Sequence, residues 1–105
     1  MGTLLLIRHG RTDANATGVL AGRTPGVVLD EVGRKTTESL AKRLEAVKIA
    51  QVVSSPLERT LETASILFAK DVEVALEDRL LECDYGDWQG AKLSELSVNE
   101  LWPIV

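Results

Sequence analysis

The sequence predicts an α/β domain built on a parallel sheet. Three short apolar runs have the length of buried strands and are bounded by polar or turn residues: Thr3–Ile7, Gln51–Ser55 and Val72–Leu76. Two stretches with helical spacing of apolar residues, 31–48 and 56–69, lie between them. A β-α-β-α-β order requires crossover connections, which favour parallel strands with right-handed crossovers.

The first half of the chain contains a strand, a long loop and a helix. The run Thr3–Ile7 ends abruptly at Arg8 and is predicted to be a buried strand. Residues 10–30 are rich in glycine and are predicted to form a loop, whose length is typical of a functional or a disordered segment. The helix over residues 31–48 has four apolar residues on one stripe, namely Leu40, Ala41, Leu44 and Val47.

The start of the second helix has the clearest boundary signal. Ser55 is a candidate N-cap, Pro56 suits the first helical position, and Glu58 completes a capping box. The apolar spacing carries this helix to about Ala69. Further along, residues 92–101 are predicted to form a short helix.

Composition excludes several classes of protein. The chain has 105 residues, of which 45% are hydrophobic and 27% charged, as in an ordinary soluble globular domain or part of one. Its net charge of −4 argues against a general nucleic-acid partner. His9 and Cys83 are the only residues of their types, which excludes a Cys/His zinc site and an internal disulfide. No apolar run is long enough for a membrane span or has the flanks of a secretory signal, so a cytoplasmic location is expected.

Two candidate anion ligands fall at the same predicted sheet edge. Ligands of parallel sheets bind beyond the carboxyl ends of the strands, where Arg8 follows the first strand and Arg59 lies in about the first turn of the second helix. A cation in the first turn of a helix opposes the helix dipole, which an anionic ligand would compensate. Residues 1–53 carry eight Lys and Arg against five Asp and Glu. Arg8 and Arg59 are therefore predicted to bind a phosphate from two sides.

The single histidine, His9, directly follows Arg8 and is expected to lie between the two arginines. A neutral imidazole at His9 could attack phosphorus and form a covalent intermediate, and flanking cations would keep it neutral. Gly10 would let the backbone approach a substrate closely. The alternative is a structural histidine hydrogen-bonded to a loop, and the presence of Arg59 favours catalysis.

A proton donor is also required, because an alkoxide is a poor leaving group. Candidates lie in the acidic stretch that contains Glu82, Asp84 and Asp87, and spacing alone does not choose among them. Glu82 follows two apolar residues, so partial burial is expected, which suits a carboxylic acid to proton donation.

Three blocks of this sequence resemble the histidine phosphatase superfamily, which includes cofactor-dependent phosphoglycerate mutases and broad-specificity phosphatases. They are Leu4-Leu5-Leu6-Ile7-Arg8-His9-Gly10-Arg11-Thr12 with Asn15, then Ser54-Ser55-Pro56-Leu57-Glu58-Arg59-Thr60 with Glu62-Thr63-Ala64, then Glu82 with Tyr85-Gly86-Asp87-Trp88-Gln89-Gly90. They occur in the family's order and cover most of the chain. The resemblance implies a three-layer, phosphoglycerate mutase-like fold.

The resemblance also implies roles for individual residues. His9 would be the phosphorylated nucleophile and Glu82 the proton donor. Phosphate ligands would be Arg8, Asn15 and Arg59, and Gly22 matches a position near substrate in mutase relatives. The implied partner is a small phosphorylated substrate, without nucleic acid, membrane, metal or organic cofactor.

Two departures from the family pattern shape the expected function. Residues 22–29 differ from the form common in mutases, which favours a phosphomonoester hydrolase over a phosphoglycerate mutase. The family carries a second pocket histidine after a further strand, whereas this sequence has only His9. Residues 1–105 are therefore expected to be the N-terminal portion of a single, shortened histidine phosphatase domain. An alternative function is that this chain is a catalytically inactive fragment that binds a phosphoanion or another protein. The chain is also expected to form a homo-oligomer through an uncovered sheet edge.

Overall fold

The computed structural model describes residues 2–68 and 72–104 of the chain. In these ranges the α-helices are α1 (Asp13–Thr17), α2 (Glu31–Leu44), α3 (Glu58–Phe68) and α4 (Leu93–Leu96), and the strands are β1 (Val52–Ser54) and β2 (Val74–Leu76). Single turns of 3-10 helix occur at Asp78–Leu80, Gly86–Trp88 and Trp102–Ile104.

Strands β1 and β2 form the sheet of the described residues. They run parallel, with Val52 opposite Val74 and Ser54 opposite Leu76, and α3 connects them. Helix α2 packs against α3. This β-α-β unit with a second helix confirms the α/β class and the parallel sheet that the sequence predicts.

The predicted first strand is wrong. Residues 3–7 belong to no strand, and the side chains of Leu4 and Leu6 are 80% and 88% exposed. A strand is stabilised by pairing of its backbone groups and by burial of its side chains, and this run has neither in the described structure. An apolar run of this length indicates a tendency to be buried, but it does not specify the neighbour that would bury it.

Two local predictions for the first loop and the second helix are corrected. The loop over residues 10–30 contains the short helix α1, whose N-cap Thr12 forms a capping box with Asn15. The predicted capping box of Ser55 and Glu58 does not form. Glu58 instead accepts a hydrogen bond from the Gly26 backbone N–H at 2.7 Å, and the Ser55 hydroxyl bonds to the Thr60 hydroxyl at 2.7 Å. Glu58 is thus drawn to a backbone group 32 residues away, which local spacing cannot reveal, and Ser55 bonds to a hydroxyl five residues further along the chain.

The predicted helices are present but shorter. Helix α2 ends at Leu44 rather than residue 48, so Val47 lies beyond the helix and is exposed. The short C-terminal helix spans Leu93–Leu96 instead of residues 92–101. The predicted end of α3 at Ala69 falls outside the described residues. Among the described residues, no helix has both the length and the apolar character that crossing a bilayer requires.

Close backbone packing joins the segment after residue 9 to α2. Gly33 lies in α2, and a Cβ atom there would collide with backbone atoms of Arg11. A Cβ atom on Gly10 would lie 2.7 Å from Thr37 Oγ1 and 2.9 Å from the Gly33 carbonyl oxygen. The backbone N–H of Asp30 also donates to the Arg11 carbonyl at 2.9 Å. Two glycines that face each other therefore let this segment lie directly on the helix.

A second set of backbone contacts joins two segments that are far apart in sequence. Residues 18–20 pair with residues 90–93 through three hydrogen bonds, from Leu20 N–H to the Ala91 carbonyl (3.0 Å), from Gly90 N–H to the Leu20 carbonyl (2.8 Å) and from Leu93 N–H to the Gly18 carbonyl (2.7 Å). Val19 and Lys92 form an antiparallel bridge at the same place. This pairing holds the glycine-rich loop against the acidic segment that follows β2.

We expect Gly33→Ala to destabilise the protein, although alanine is the better helix former. The added methyl group has to displace the Arg11 backbone, and overpacking of this kind costs about 1–3 kcal/mol. Urea unfolding followed by circular dichroism measures the free energy of unfolding. Ser39→Ala, at an exposed position of the same helix, is the matched control and should be neutral or slightly stabilising. Equal stability of Gly33→Ala and the natural chain would contradict the close packing.

Candidate active site

The backbone after His9 is anchored to α3 by a threonine. The Gly10 N–H donates to Thr63 Oγ1 at 3.1 Å, and the Thr63 hydroxyl donates to the Arg59 carbonyl oxygen at 2.8 Å. Thr63 is buried, so both of its bonds are shielded from water. Through this residue the position of His9 is tied to the helix that carries Arg59.

One ring nitrogen of His9 is hydrogen-bonded to the backbone of the next residue, Gly10. Nδ1 lies 2.6 Å from the carbonyl oxygen of Gly10. A carbonyl oxygen can only accept, so in the neutral ring Nδ1 carries the proton and Nε2 keeps its lone pair. This tautomer is the one that a nucleophile acting through Nε2 requires.

The pKa of His9 is lowered from its ordinary value of 6.5. Burial of the ring is the largest cause, and the positive charges of Arg59 and Arg8 lower it further. The hydrogen bond to Gly10 and the negative charge of Glu82 act in the opposite direction but do not outweigh burial. At neutral pH the imidazole is therefore mainly neutral and able to act as a nucleophile.

Arg59 is a buried cation beside the histidine. Arg59 is only 3% exposed, and its Nη2 atom donates a hydrogen bond to the carbonyl oxygen of Gly22 at 2.7 Å. Burial lowers the pKa of Arg59, while the negative charge of Glu82 raises it. A guanidinium remains charged in proteins, so this site holds a positive charge that a phosphate would neutralise.

Gly22 is buried in a conformation that only glycine adopts easily. Its φ of 53° lies in the left-handed region, and a Cβ atom there would lie 2.5 Å from Oε1 of Gln89. The same Gln89 oxygen accepts from the backbone N–H of Arg23 at 2.8 Å. The glycine-rich loop is thus held by Arg59 on one side and Gln89 on the other.

The backbone of Glu82 is hydrogen-bonded to Arg23, the residue that follows Gly22 in the loop. Arg23 Nε donates to the Glu82 backbone carbonyl at 2.7 Å, and the Glu82 side chain accepts from the Cys83 N–H at 3.3 Å. The expected partial burial of Glu82 is wrong, because the residue is exposed. Of the three candidate acids, Glu82 is the one whose charge acts on the pKa of His9, which favours it over Asp84 and Asp87.

A shallow cleft of about 240 Å³ opens beside the histidine. It is lined by Arg8, His9, Arg11 and Asn15. The Asn15 side-chain oxygen accepts from the Thr12 N–H and hydroxyl, both at 3.1 Å. This oxygen is therefore committed to the cap, and the amide nitrogen of Asn15 is the group suited to an anion.

The structure groups the predicted residues in two sets around His9. Arg8 and Asn15 line the cleft with it, whereas Arg59, Gly22 and Glu82 are not among the lining residues and meet in the network described above. Arg59 and Glu82 both act electrostatically on His9, so the two sets share the histidine.

Three residues of the site received no role from the sequence. Arg11 lines the cleft and pairs with Asp30 at 2.5 Å, Thr63 anchors Gly10, and Gln89 holds Gly22 and Arg23. All three lie inside the blocks that carry the family resemblance, and that was the available signal. Nothing in their spacing shows that Thr63 and Gln89 bond to backbone groups far away in sequence.

The comparisons with known proteins identify the family. The family profile of the histidine phosphatase superfamily (branch 1) matches residues 4–103. The chain belongs to this superfamily.

Its similar proteins include phosphatases and a mutase. The chain is 38% identical over 104 residues to phosphoserine phosphatase 1 of Hydrogenobacter thermophilus, covering 95% of this chain and 46% of that protein. It is 35% identical over 96 residues to the 2,3-bisphosphoglycerate-dependent phosphoglycerate mutase of Thermoplasma acidophilum, covering 89% of this chain and 47% of that protein.

Solved structures agree on the fold. YhfR of Bacillus stearothermophilus superposes with a TM-score of 0.81 at 36% identity, covering 92% of this chain and 47% of that one. Phosphoserine phosphatase of Entamoeba histolytica, solved in complex with 3-phosphoglyceric acid, superposes with a TM-score of 0.79 at 30% identity. The match covers 90% of this chain and 47% of that one. These likenesses confirm the phosphoglycerate mutase-like fold, and the chain spans about half the length of the relatives it matches.

The lowered pKa of His9 leads to a prediction that one resonance can test. Because His9 is the only histidine, its imidazole Hε1 proton gives a single signal in an NMR pH titration. The midpoint should fall below 6.5, and Arg8→Gln should move it upward by removing one of the positive charges that favour the neutral ring.

The same titration has a stability counterpart with a defined sign. The folded state binds the His9 proton less tightly than the unfolded state does. The free energy of unfolding should therefore decrease as the pH falls from 6.5 through the lowered midpoint.

Arg43→Gln, which removes a charge from the last turn of α2, is the matched control for the NMR titration. A midpoint above 6.5, or one that Arg8→Gln and Arg43→Gln shift equally, would contradict the assigned electrostatics.

Proposed function

We propose that the protein is a phosphomonoester hydrolase that works through a phosphohistidine on His9. The observation that carries this proposal is the hydrogen bond of Nδ1 to the Gly10 carbonyl, which leaves Nε2 as the free nucleophilic nitrogen. Two other features support it: the lowered pKa of His9 and the buried positive charge of Arg59. Membership of a superfamily with phosphatase and mutase relatives agrees with this chemistry.

In the first step Nε2 of His9 attacks the phosphorus of the bound ester. A P–N bond forms, the P–O bond to the alcohol breaks, and the departing oxygen takes a proton from the Glu82 carboxylic acid. Arg8 and Arg59 balance the charge on the phosphoryl oxygens, and the amide nitrogen of Asn15 donates to one of them. Arg11 also lines the cleft, where its charge is paired with Asp30.

In the second step water releases the phosphoryl group. The Glu82 carboxylate accepts a proton from water as the oxygen attacks phosphorus, and the P–N bond breaks. Inorganic phosphate leaves, while Nε2 recovers its lone pair and Glu82 its proton. The exposure of Glu82 favours this step, because water can reach its carboxylate.

A phosphoglycerate mutase is the second candidate, favoured by the similarity to the Thermoplasma acidophilum mutase. It would use the same phosphohistidine but return the phosphoryl group to the other hydroxyl of the product. The loop from Gly22 to Leu29 departs from the form common in mutases and favours the hydrolase. Incubation with 3-phosphoglycerate separates the two, because a hydrolase releases inorganic phosphate and a mutase forms 2-phosphoglycerate without it.

The alternative of an inactive phosphoanion-binding fragment concerns residues 1–105 alone. In our proposal these residues supply the nucleophile, the proton donor and three phosphate ligands, and they correspond to about half of the domain seen in relatives. A cytoplasmic location and self-association through an uncovered sheet edge stay predictions. Turnover of a phosphomonoester by the purified 105-residue chain would refute the inactive alternative.

The phosphohistidine itself is directly testable. Brief incubation with a ³²P-labelled phosphomonoester, followed by alkaline quenching, should leave a label on the protein that is stable in base and lost in acid. His9→Ala should abolish the label, because no other histidine is present in the sequence. Arg43→Gln should retain it. Absence of an acid-labile label on the natural chain, or its survival in His9→Ala, would refute the proposed mechanism.

A further inference from the structure

We infer that Arg23 is a specificity-determining residue that binds a second anionic group on the leaving-group side of the substrate. This inference rests on the proposed function, since it uses the role of Glu82 as proton donor. It adds a substrate class: phosphomonoesters whose alcohol carries a carboxylate or a second phosphate near the ester oxygen.

Arg23 is held in place through both its backbone and its side chain. Its N–H donates to Gln89 Oε1 at 2.8 Å, and its Nε donates to the Glu82 carbonyl at 2.7 Å. The preceding residue, Gly22, is fixed by Arg59 and by close contact with Gln89. An arginine with an ordered stem and an anchored Nε loses little further entropy when it binds a ligand.

The positive charge of Arg23 is available to a ligand. Arg11, Arg34 and Arg79 each form an ion pair with a carboxylate, namely Asp30, Glu62 and Glu77. In residues 2–68 and 72–104, no carboxylate oxygen lies within 4.0 Å of the Arg23 guanidinium. The acceptor of Arg23 is a neutral backbone carbonyl, and Arg23 is exposed. Its two Nη groups can therefore form a bidentate contact with an incoming anion.

The position of this charge relative to the substrate follows from the proposed role of Glu82. A proton donor has to lie within hydrogen-bond distance of the departing oxygen. The guanidinium of Arg23 is bonded to the backbone of that donor, Glu82, so it lies beside the leaving group rather than beside the transferring phosphoryl group. The phosphoryl oxygens are served by Arg8 and Arg59. An anion attached to the alcohol a few bonds from the ester oxygen would meet Arg23.

A matched pair of substrates tests this inference. O-phosphoserine and O-phosphoethanolamine differ only in the carboxylate on the alcohol. The natural protein should prefer phosphoserine, and Arg23→Gln should raise its KM for phosphoserine about tenfold or more, as expected for loss of a charge-assisted pair. The KM for phosphoethanolamine should change less than twofold. Arg23→Lys, which keeps the charge, should recover part of the preference, and Arg43→Gln should keep all of it.

Other outcomes would overturn the inference. An equal loss of kcat for both substrates in Arg23→Gln would mean that Arg23 only positions Glu82. An unchanged KM for phosphoserine would mean that it does neither. If the natural protein hydrolyses neither compound, the proposed hydrolase fails for this chain. Titration calorimetry of both compounds then decides the role of Arg23, because the binding preference for phosphoserine should again be lost in Arg23→Gln, and absence of binding or of this loss would refute it.

Discussion

The buried guanidinium of Arg59 is the constraint on which the site depends. A charge removed from water needs compensation, and in residues 2–68 and 72–104 Arg59 bonds to the backbone carbonyl of Gly22 and forms no ion pair with a carboxylate within 4.0 Å. To bring that carbonyl to Arg59, the loop has to adopt a left-handed turn and press against Gln89. Burial lowers the pKa of His9 most, and the positive charge of Arg59 lowers it further and favours an anionic ligand.

Buried polar residues, more than apolar ones, organise this part of the molecule. Among the described residues the buried apolar side chains are Leu29, Val52, Ala64 and Leu96, whereas Thr12, Thr37, Ser54, Ser55, Arg59 and Thr63 are buried polar ones. Hydroxyl groups can donate and accept at once, so a residue such as Thr63 connects two backbone segments through one atom. Such contacts are directional. They therefore fix the orientation of His9 more closely than apolar packing would.

The sequence predicts the parts of this structure that depend on local pattern. Helices α2 and α3 follow from apolar spacing, and the parallel pairing of β1 and β2 follows from the connecting helix. The convergence of His9, Arg59 and Glu82 follows from their positions at loop boundaries and from the family resemblance. In each case the signal lies within a few residues of the feature or in a motif.

Features that depend on partners far along the chain could not be predicted. The run Thr3–Ile7 has the composition of a strand, but pairing depends on a neighbour that composition does not specify. Ser55 and Glu58 match a capping box, yet Glu58 bonds to Gly26, more than thirty residues away. Glu82 follows two leucines and is nevertheless exposed, since exposure depends on which segments lie above it.

The pairing of residues 18–20 with residues 90–93 has a consequence for the order of events during synthesis. Arg59 and His9 can be brought together as soon as α3 has left the ribosome, but the pairing that holds the Arg23 loop against the Glu82 segment requires the chain as far as Leu93. Closing a loop of about seventy residues is also entropically costly, so these contacts form late. A nascent chain can therefore join the segment after His9 to α3 through Thr63 before residues 18–20 are paired, and the contacts between Arg23 and the Glu82 segment form last.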